Sequence, residues 1–294
     1  MTYLIDASVF IFRAWFSIPD SMTDDEKNPV NAVYGFTRFL SDFIENEQPE
    51  FIAAAFDESL SKSFRNEIYP DYKANREPAP PELKRQFQQC RDITRALGVC
   101  ECADAAYEAD DLIGTMAAGM RDAGHTITIV SRDKDLLQIL QSGDTFWDCI
   151  GDRTIPYHAV PESFGVRAEQ MVDFLALAGD SVDNIPGAPG VGPKTATALL
   201  GFFESVHDVY ENLDRVADMP VRGASKLGAR LAANKDKVMV SRELAQIRYD
   251  APIGADEAFL ERRVPDLDSL NALYDDAGFG DGLRRQAQRI FDSY

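Results

Sequence analysis

Short apolar runs alternate along the chain with longer stretches whose apolar residues recur every three or four positions. Residues 3–5 read as a strand ending at Asp6, and residues 51–56 as another ending at Asp57. Residues 127–130 read as a third strand, followed by Ser131, Arg132 and Asp133. Between them, residues 32–44 and 109–123 are amphipathic helices, the second closed by Gly124. This order predicts an α/β domain with a largely parallel central sheet flanked by helices. Ligands of open α/β sheets gather beyond the carboxyl ends of the strands, so strands that finish on or next to Asp aim carboxylates at one edge.

The pattern breaks at residues 69–82, YPDYKANREPAPPE, where four prolines and two tyrosines predict a surface excursion, an arch or lid. It leads into a basic helix over residues 83–97. Past about Glu169 the chain reads as mainly helical, punctuated by GDSVDNIPGAPGVGPKTA. The tail beyond Asp250 is acidic and predicts little. The expected division is residues 1–168, with the arch at about 69–97, and residues 169–294.

Composition narrows the class. With 294 residues, 45% hydrophobic and 27% charged, the chain can bury a substantial core. No apolar run approaches the roughly 18 residues of a membrane span. The N-terminus enters a strand without the basic region of a signal peptide. Cys90, Cys100, Cys102 and Cys149 form no CxxC pair and no zinc spacing, which suits reduced thiols in a cytoplasm. A net charge of −19 argues against a nucleic-acid partner, yet it is unevenly spread. Residues 62–95 hold eight basic side chains (Lys62, Arg65, Lys73, Arg76, Lys84, Arg85, Arg91, Arg95) against five acidic, and residues 215–248 hold eight against three. Such stretches read either as phosphate-facing surfaces or as solvated helix faces, and charge alone favours the second.

Four acidic groups carry the chemistry: Asp6 with Asp57; Glu108, Asp110 and Asp111 in YEADD; Asp133 and Asp135 in SRDKD; Asp180 and Asp183 in GDSVD. Singly, each has an ordinary reading as a helix cap or as favourable charge at a helix start. Together they would repel unless hard divalent cations neutralise them. A surplus of acids suggests two ions, some held through water, and two-ion chemistry suits in-line attack of water on a phosphodiester. The histidines (His125, His158, His207) share no spacing, and no Ser, His or Cys arrangement competes. Gly187, Gly190 and Gly192 precede a helix starting near Lys194 and Thr195. This pattern is neither of the common nucleotide-binding motifs; it reads as a tight turn between helices or as a sequence-independent grip on duplex phosphates.

DNxPG followed by GxGxKTA, with YEADD, a DKD group and SFRNEIYPDYKANR, resembles the bacterial 5′–3′ exonuclease and flap endonuclease family from about Tyr3 to about Asp250. That family includes the N-terminal nuclease domain of bacterial DNA polymerase I. The resemblance implies a PIN-like nuclease with a helical arch and, at about residues 180–250, a helix–hairpin–helix-type DNA-binding motif. It implies one ion around Asp6, Asp57, Glu108, Asp110 and Asp111, and a second around Asp133, Asp135, Asp180 and Asp183. Lys73 and Arg76 match basic residues near the scissile phosphate, and Tyr72 a position that stacks on a nucleotide; Arg13 is a further substrate contact. Gly187, Gly190, Gly192, Lys194 and Thr195 would hold duplex phosphates, with K⁺ in related enzymes. Mg²⁺ is the expected ion, with Mn²⁺ as a substitute.

The implied activity is structure-selective hydrolysis of DNA at 5′ flaps, 5′ overhangs and nicks, in replication and repair, without a covalent intermediate. A monomer in a bacterial cytoplasm, associated with the nucleoid and not with a membrane, is expected, with no polymerase segment after Tyr294. Two departures stand out: Ala7 follows Asp6 where the family shows Gly, and Arg132 stands where it shows Ala. The alternatives are a PIN-type ribonuclease, which would not need the glycine turn, and a non-catalytic DNA-structure-binding protein.

Overall fold

The computed structural model describes residues 1–58, 63–221 and 223–294. Lys62 and Arg222, which belong to the two basic stretches, lie outside the described residues. The first half runs β1 (Thr2–Asp6), α1 (Ala7–Ser17), α2 (Asn31–Glu47), β2 (Phe51–Asp57), α3 (Arg65–Ile68), α4 (Pro81–Ala96), β3 (Cys100–Asp104), α5 (Ala109–Asp122) and β4 (Ile127–Val130). A hairpin, β5 (Thr145–Asp148) and β6 (Arg153–Pro156), and a short α6 (Val160–Phe164) complete it. Helices α7 (Met171–Ala178), α8 (Pro193–Phe202), α9 (Val206–Glu211), α10 (Ala224–Ala233), α11 (Lys235–Ala245), α12 (Glu257–Leu260), α13 (Leu267–Asp276) and α14 (Asp281–Asp292) follow.

The sheet order is β3-β2-β1-β4-β5-β6, parallel throughout except for β6. The expected parallel α/β sheet is therefore present. Periodicity missed β3, β5 and β6. The run CECAD on β3 carries Glu101 and lies at the sheet edge, so it lacks the continuous apolar character of a central strand. The two hairpin strands have four residues each, too few to establish a period.

Alternation along the strands divides the core. Leu4, Ala53, Ala55 and Ile129 face α5 and the helical second half. Ile5, Ile52, Ala54 and Phe56 face α1, α2 and α4. The acidic tail contributes to this second layer: Leu270, Tyr274, Leu283 and Ile290 are fully or nearly fully buried there. Helices α13 and α14 thus pack on the α/β half, although the sequence beyond Asp250 predicted little. Their apolar stripes are only one face wide, and the acidic residues between them mask the signal.

Of the expected arch, α4 is helical, while residues 69–80 run as turns against the loop at 180–185. Lys73 N–H donates to the Asp183 carbonyl (3.0 Å), Asn75 Nδ2 to the Ser181 carbonyl (2.8 Å) and Asn184 Nδ2 to the Asp71 carbonyl (2.7 Å). Among the described residues, no helix is long and apolar enough to cross a membrane.

Candidate active site

Asp6 ends β1, Asp57 ends β2, and Asp133 follows β4, so the parallel order places these acids at one edge of the sheet. Backbone and hydroxyl donors fix them. Ser131 Oγ donates to Asp6 Oδ2 (2.8 Å) and accepts from Asp133 N–H (2.9 Å). Ala109 N–H donates to Asp57 Oδ1 (3.0 Å), tying β2 to the first turn of α5. Asp110 comes from that same turn.

The electrostatics show that the acids converge. Burial, then the Asp57 carboxylate and to a lesser extent Asp133, push Asp6 up to about 7, against the Ser131 hydrogen bond. Asp110 lies well above the usual carboxylate range, through burial and then the charges of Asp133, Asp6 and Asp57. Burial also raises Asp133. Asp133 interacts with both groups, since burial and Asp133 together push Asp135 up to about 7.

On the other side, cations occupy the oxygens. Lys134 Nζ donates to Asp135 Oδ1 (2.9 Å) and Asp180 Oδ2 (2.8 Å). Lys73 Nζ donates to Glu108 Oε2 (2.8 Å) and stands 3.7 Å from Asp183 Oδ2, while Arg76 Nη2 pairs with the other oxygen, Oδ1. Burial alone would raise Glu108, but Lys73, Arg65 and the Lys73 and Tyr72 hydrogen bonds hold it below its ordinary value. Lys73 adopts a left-handed backbone (φ 55°), with its N–H on the Asp183 carbonyl and its ammonium on Glu108.

Among the described residues, no three carboxylate, thiol or imidazole groups already close on one point as they would around a bound ion. The donor set nevertheless fits hard divalent cations. It consists of carboxylates, their mutual repulsion around Asp110 is only partly offset by the charge of Lys73, and the ammonium of Lys134 occupies a place a cation would take.

Some expected residues are placed differently. Asp111 is fully buried, and both its oxygens accept from Arg65, with further donation from the Glu108 and Arg248 N–H groups. Tyr72 is 3% exposed and donates its hydroxyl to Glu108, so its ring face is not open to a nucleotide. The first basic stretch is largely spent inside the protein: Arg65 on Asp111, Arg85 on Asp24, and Arg91 and Arg95 on Glu101. Each of these cations has found a carboxylate outside its own helix, which charge counting cannot foresee. Lys84 remains exposed and, with Lys73, Arg76, Asp57 and Phe87, lines a cavity of about 620 Å³ beside the acids.

In the glycine turn, Gly187 (φ 62°) packs so closely on Gly179 that a Cβ would lie 2.4 Å from the Gly179 nitrogen. Its N–H is taken by Ser241 Oγ (3.0 Å), so it builds the turn and has no donor left over. Gly190, Gly192 and Lys194 are exposed at the N-terminus of α8, and Thr195 is half-buried. Arg13 is exposed in a separate groove of about 630 Å³ lined by Phe39, Trp147 and Cys149.

A mostly parallel sheet with acids gathered at its carboxyl edge, followed by helices that include a glycine turn before α8, defines the class of this site, a carboxylate centre at the edge of an α/β domain. Residues 1–165 match the model of the 5′-3′ exonuclease N-terminal resolvase-like domain, and residues 166–268 that of the 5′-3′ exonuclease C-terminal SAM fold. The chain belongs to the 5′–3′ exonuclease family. It is 36% identical over 289 residues to DNA polymerase I of Bacillus subtilis (strain 168), covering 96% of this chain and 32% of that protein. DNA polymerase I of Pseudomonas aeruginosa is likewise 36% identical, with 97% and 31% covered. The chain thus spans about a third of the length of these curated relatives. Among solved structures, the bacteriophage T5 D15 protein co-crystallized with metal ions is similar in fold (TM-score 0.67, 18% identity, 99% of this chain and 98% of that one). So is human GEN1 in complex with Holliday junction DNA (TM-score 0.63, 13% identity, 99% and 71%).

Proposed function

We propose that the chain is a divalent-metal-dependent, structure-selective 5′-nuclease, a 5′–3′ exonuclease and flap endonuclease that trims DNA at 5′ flaps, overhangs and nicks during replication and repair. The observation that carries this reading is the convergence of Asp6, Asp57, Asp110 and Asp133, with no cation bonded to them among the described residues, beside a cavity lined by Lys73 and Arg76. It fits a nuclease better than a passive DNA-binding protein, because binding alone gains nothing from buried, mutually repelling acids.

Asp6, Asp57, Asp110 and Asp133 would hold one Mg²⁺, and Asp133, Asp135, Asp180 and Asp183 a second, with Mn²⁺ able to substitute. These ions would supply water activation and stabilisation of the leaving oxygen. The remaining work falls to side chains of this chain. Glu108 and Asp183 hold Lys73 and Arg76 toward the cavity, where both cations orient the phosphate and offset the charge that develops in the transition state. Buried Tyr72 keeps Glu108 oriented. Gly190, Gly192, Lys194 and Thr195 would grip duplex phosphates at the start of α8, where N–H groups and the helix dipole favour an anion. That turn is also the proposed place for K⁺. Residues 1–168 act as the catalytic unit and 169–294 as the DNA-gripping region, with α13 and α14 returning to support the first. A monomer acting on DNA in a bacterial cytoplasm, at the nucleoid, completes the proposal.

The test compares the parent protein with Asp110→Asn on a 5′-flap duplex in Mg²⁺ or Mn²⁺. Cleavage near the junction by the parent and its loss in the variant are expected. Equal cleavage by both, or none by either, would sink the reading. Cleavage of RNA in preference to the DNA flap would favour a ribonuclease.

A further inference from the structure

We infer that Arg65 is a positioning residue that couples the helical DNA-gripping region to the acidic centre, and that Asp111 is its anchor and not an ion ligand. Arg65 opens α3 and is 2% exposed. Its guanidinium makes a two-pronged contact with Asp111, Nη1 to Oδ2 at 2.7 Å and Nη2 to Oδ1 at 2.8 Å. Nε donates to the Leu244 carbonyl (2.8 Å) and Nη2 also to the Gln246 carbonyl (3.0 Å). One side chain therefore joins α3, the first turn of α5 and the C-terminal end of α11.

The oxygens of Asp111 are saturated. Besides Arg65 they accept the Arg248 N–H (2.8 Å) and the Glu108 N–H (3.1 Å), so four donors share two oxygens in a fully buried place. An ion could bind Asp111 only by stripping away the guanidinium and leaving it buried with two carbonyls but without the carboxylate it pairs with, which is strongly unfavourable. Asp110, one residue earlier, has the opposite surroundings: its neighbours are Asp133, Asp6 and Asp57.

Both ends of this brace reach functional groups. Through the Glu108 N–H, Asp111 fixes the N-cap of α5, and the Glu108 carboxylate holds Lys73 and Tyr72. Through Leu244 and Gln246, Arg65 fixes the end of α11, and Ser241 on α11 takes the N–H of Gly187. Gln138, on the turn that follows Asp133 and Asp135, pins the same segment by donating to the Ala245 carbonyl and accepting from Ile247 N–H. The distance between the phosphate grip and Lys73 is therefore set by a rigid polar junction. A lysine at position 65 keeps the charge but not the planar fork.

This inference rests on the nuclease reading only in its kinetic arm. Arg65→Lys is expected to unfold near the parental temperature, to bind Mn²⁺ within about twofold of the parent, and to bind a 5′-flap duplex in Ca²⁺ within about threefold. Its kcat should fall about 100-fold with little change in KM, as expected for misplacement of an outer-shell group by a fraction of an ångström. Asp111→Asn should bind Mn²⁺ within about twofold of the parent, whereas Asp110→Asn should bind at least about tenfold more weakly. If Arg65→Lys does not fold, the apolar pair Arg65→Met with Asp111→Leu replaces it, and should fold with the same kcat deficit, because a buried ion pair can be exchanged for packed apolar groups. Parental kcat in Arg65→Lys or in the double variant overturns the coupling. Loss of Mn²⁺ affinity in Asp111→Asn equal to that in Asp110→Asn overturns the anchor role. If the parent cleaves no flap, the nuclease reading fails, and the Mn²⁺ comparison still decides the role of Asp111.

Discussion

Around Asp6, Asp57 and Asp110 the carboxylates face one another, held by a serine hydroxyl and a backbone N–H, with no ammonium or guanidinium bonded to them among the described residues. Around Glu108, Asp180 and Asp183, less than a helical turn away in sequence or on the adjoining loop, Lys73, Lys134 and Arg76 sit directly on the oxygens. Carboxylates therefore end in opposite states: Asp6 and Asp110 are pushed up, whereas Glu108 and Asp180 are held down although burial works against it, and Asp135, shared by Lys134 and Asp133, is pushed up. The first half has burial and repulsion that no bonded cation among the described residues offsets. The second carries its own cations.

The largest effect that would break this contrast is on turnover. Asp110→Asn should remove about 4 kcal/mol of charge stabilisation, roughly a 1000-fold loss of kcat on a 5′-flap duplex in Mg²⁺. A loss under about tenfold would show that the first half is not where the chemistry is supported.

Next in size is the stability of the metal-free protein. Asp6 has its carboxyl raised from 3.8 to about 7 in the folded chain, so the folded state binds its proton more tightly than the unfolded state. Stability without divalent ions should accordingly fall as pH rises from about 4 to about 7 and level off above, and Asp6→Asn should be more stable than the parent at pH 8 by about 2–4 kcal/mol. Added Mg²⁺ should flatten the parent's profile, and its affinity should climb with pH through about 7, because ions compete with protons for the same oxygens. Thermal unfolding with and without Mg²⁺ reads this directly. A stability that rises over that pH range would refute the picture.

A smaller change should sharpen the second half. Lys134→Met removes the ammonium between Asp135 and Asp180, and Mn²⁺ binding there should tighten about tenfold, or 1.4 kcal/mol, by electron paramagnetic titration. Smallest is Lys194→Ala at the glycine turn. Binding of flap duplex in Ca²⁺ should weaken a few-fold, with a salt slope lower by about 1 and kcat unchanged.

The acidic centre was legible in the sequence to an uneven degree. Asp6, Asp57 and Asp133 could be placed because a parallel sheet puts every strand's carboxyl end on one edge, so finding the strand ends finds the site. Asp111 could not be told from Asp110. Helix position alone separates neighbours by about 100°, and only packing shows that one points into a guanidinium and the other into a group of acids. Nothing local marks Arg65 as a buried cation, since its partner is 46 residues away. Residue type and motif point Tyr72 and Gly187 toward DNA, and packing gives the Tyr72 hydroxyl to Glu108 and the Gly187 N–H to Ser241.

By itself, then, the sequence determined the alternation of strands and helices, the parallel α/β class, the four acidic groups, the glycine turn and membership of a nuclease-like family, because these follow from local periodicity and from residues close together in the chain. Only the tertiary structure decided which acids lie bare and which are paired, that residues 69–80 dock on the 180–185 loop, and that α13 and α14 return to cover the first half. The physical reason is the range of the forces involved. Periodicity is set within a turn or two of chain, whereas desolvation and ion pairing depend on what long-range packing brings to within a few ångströms.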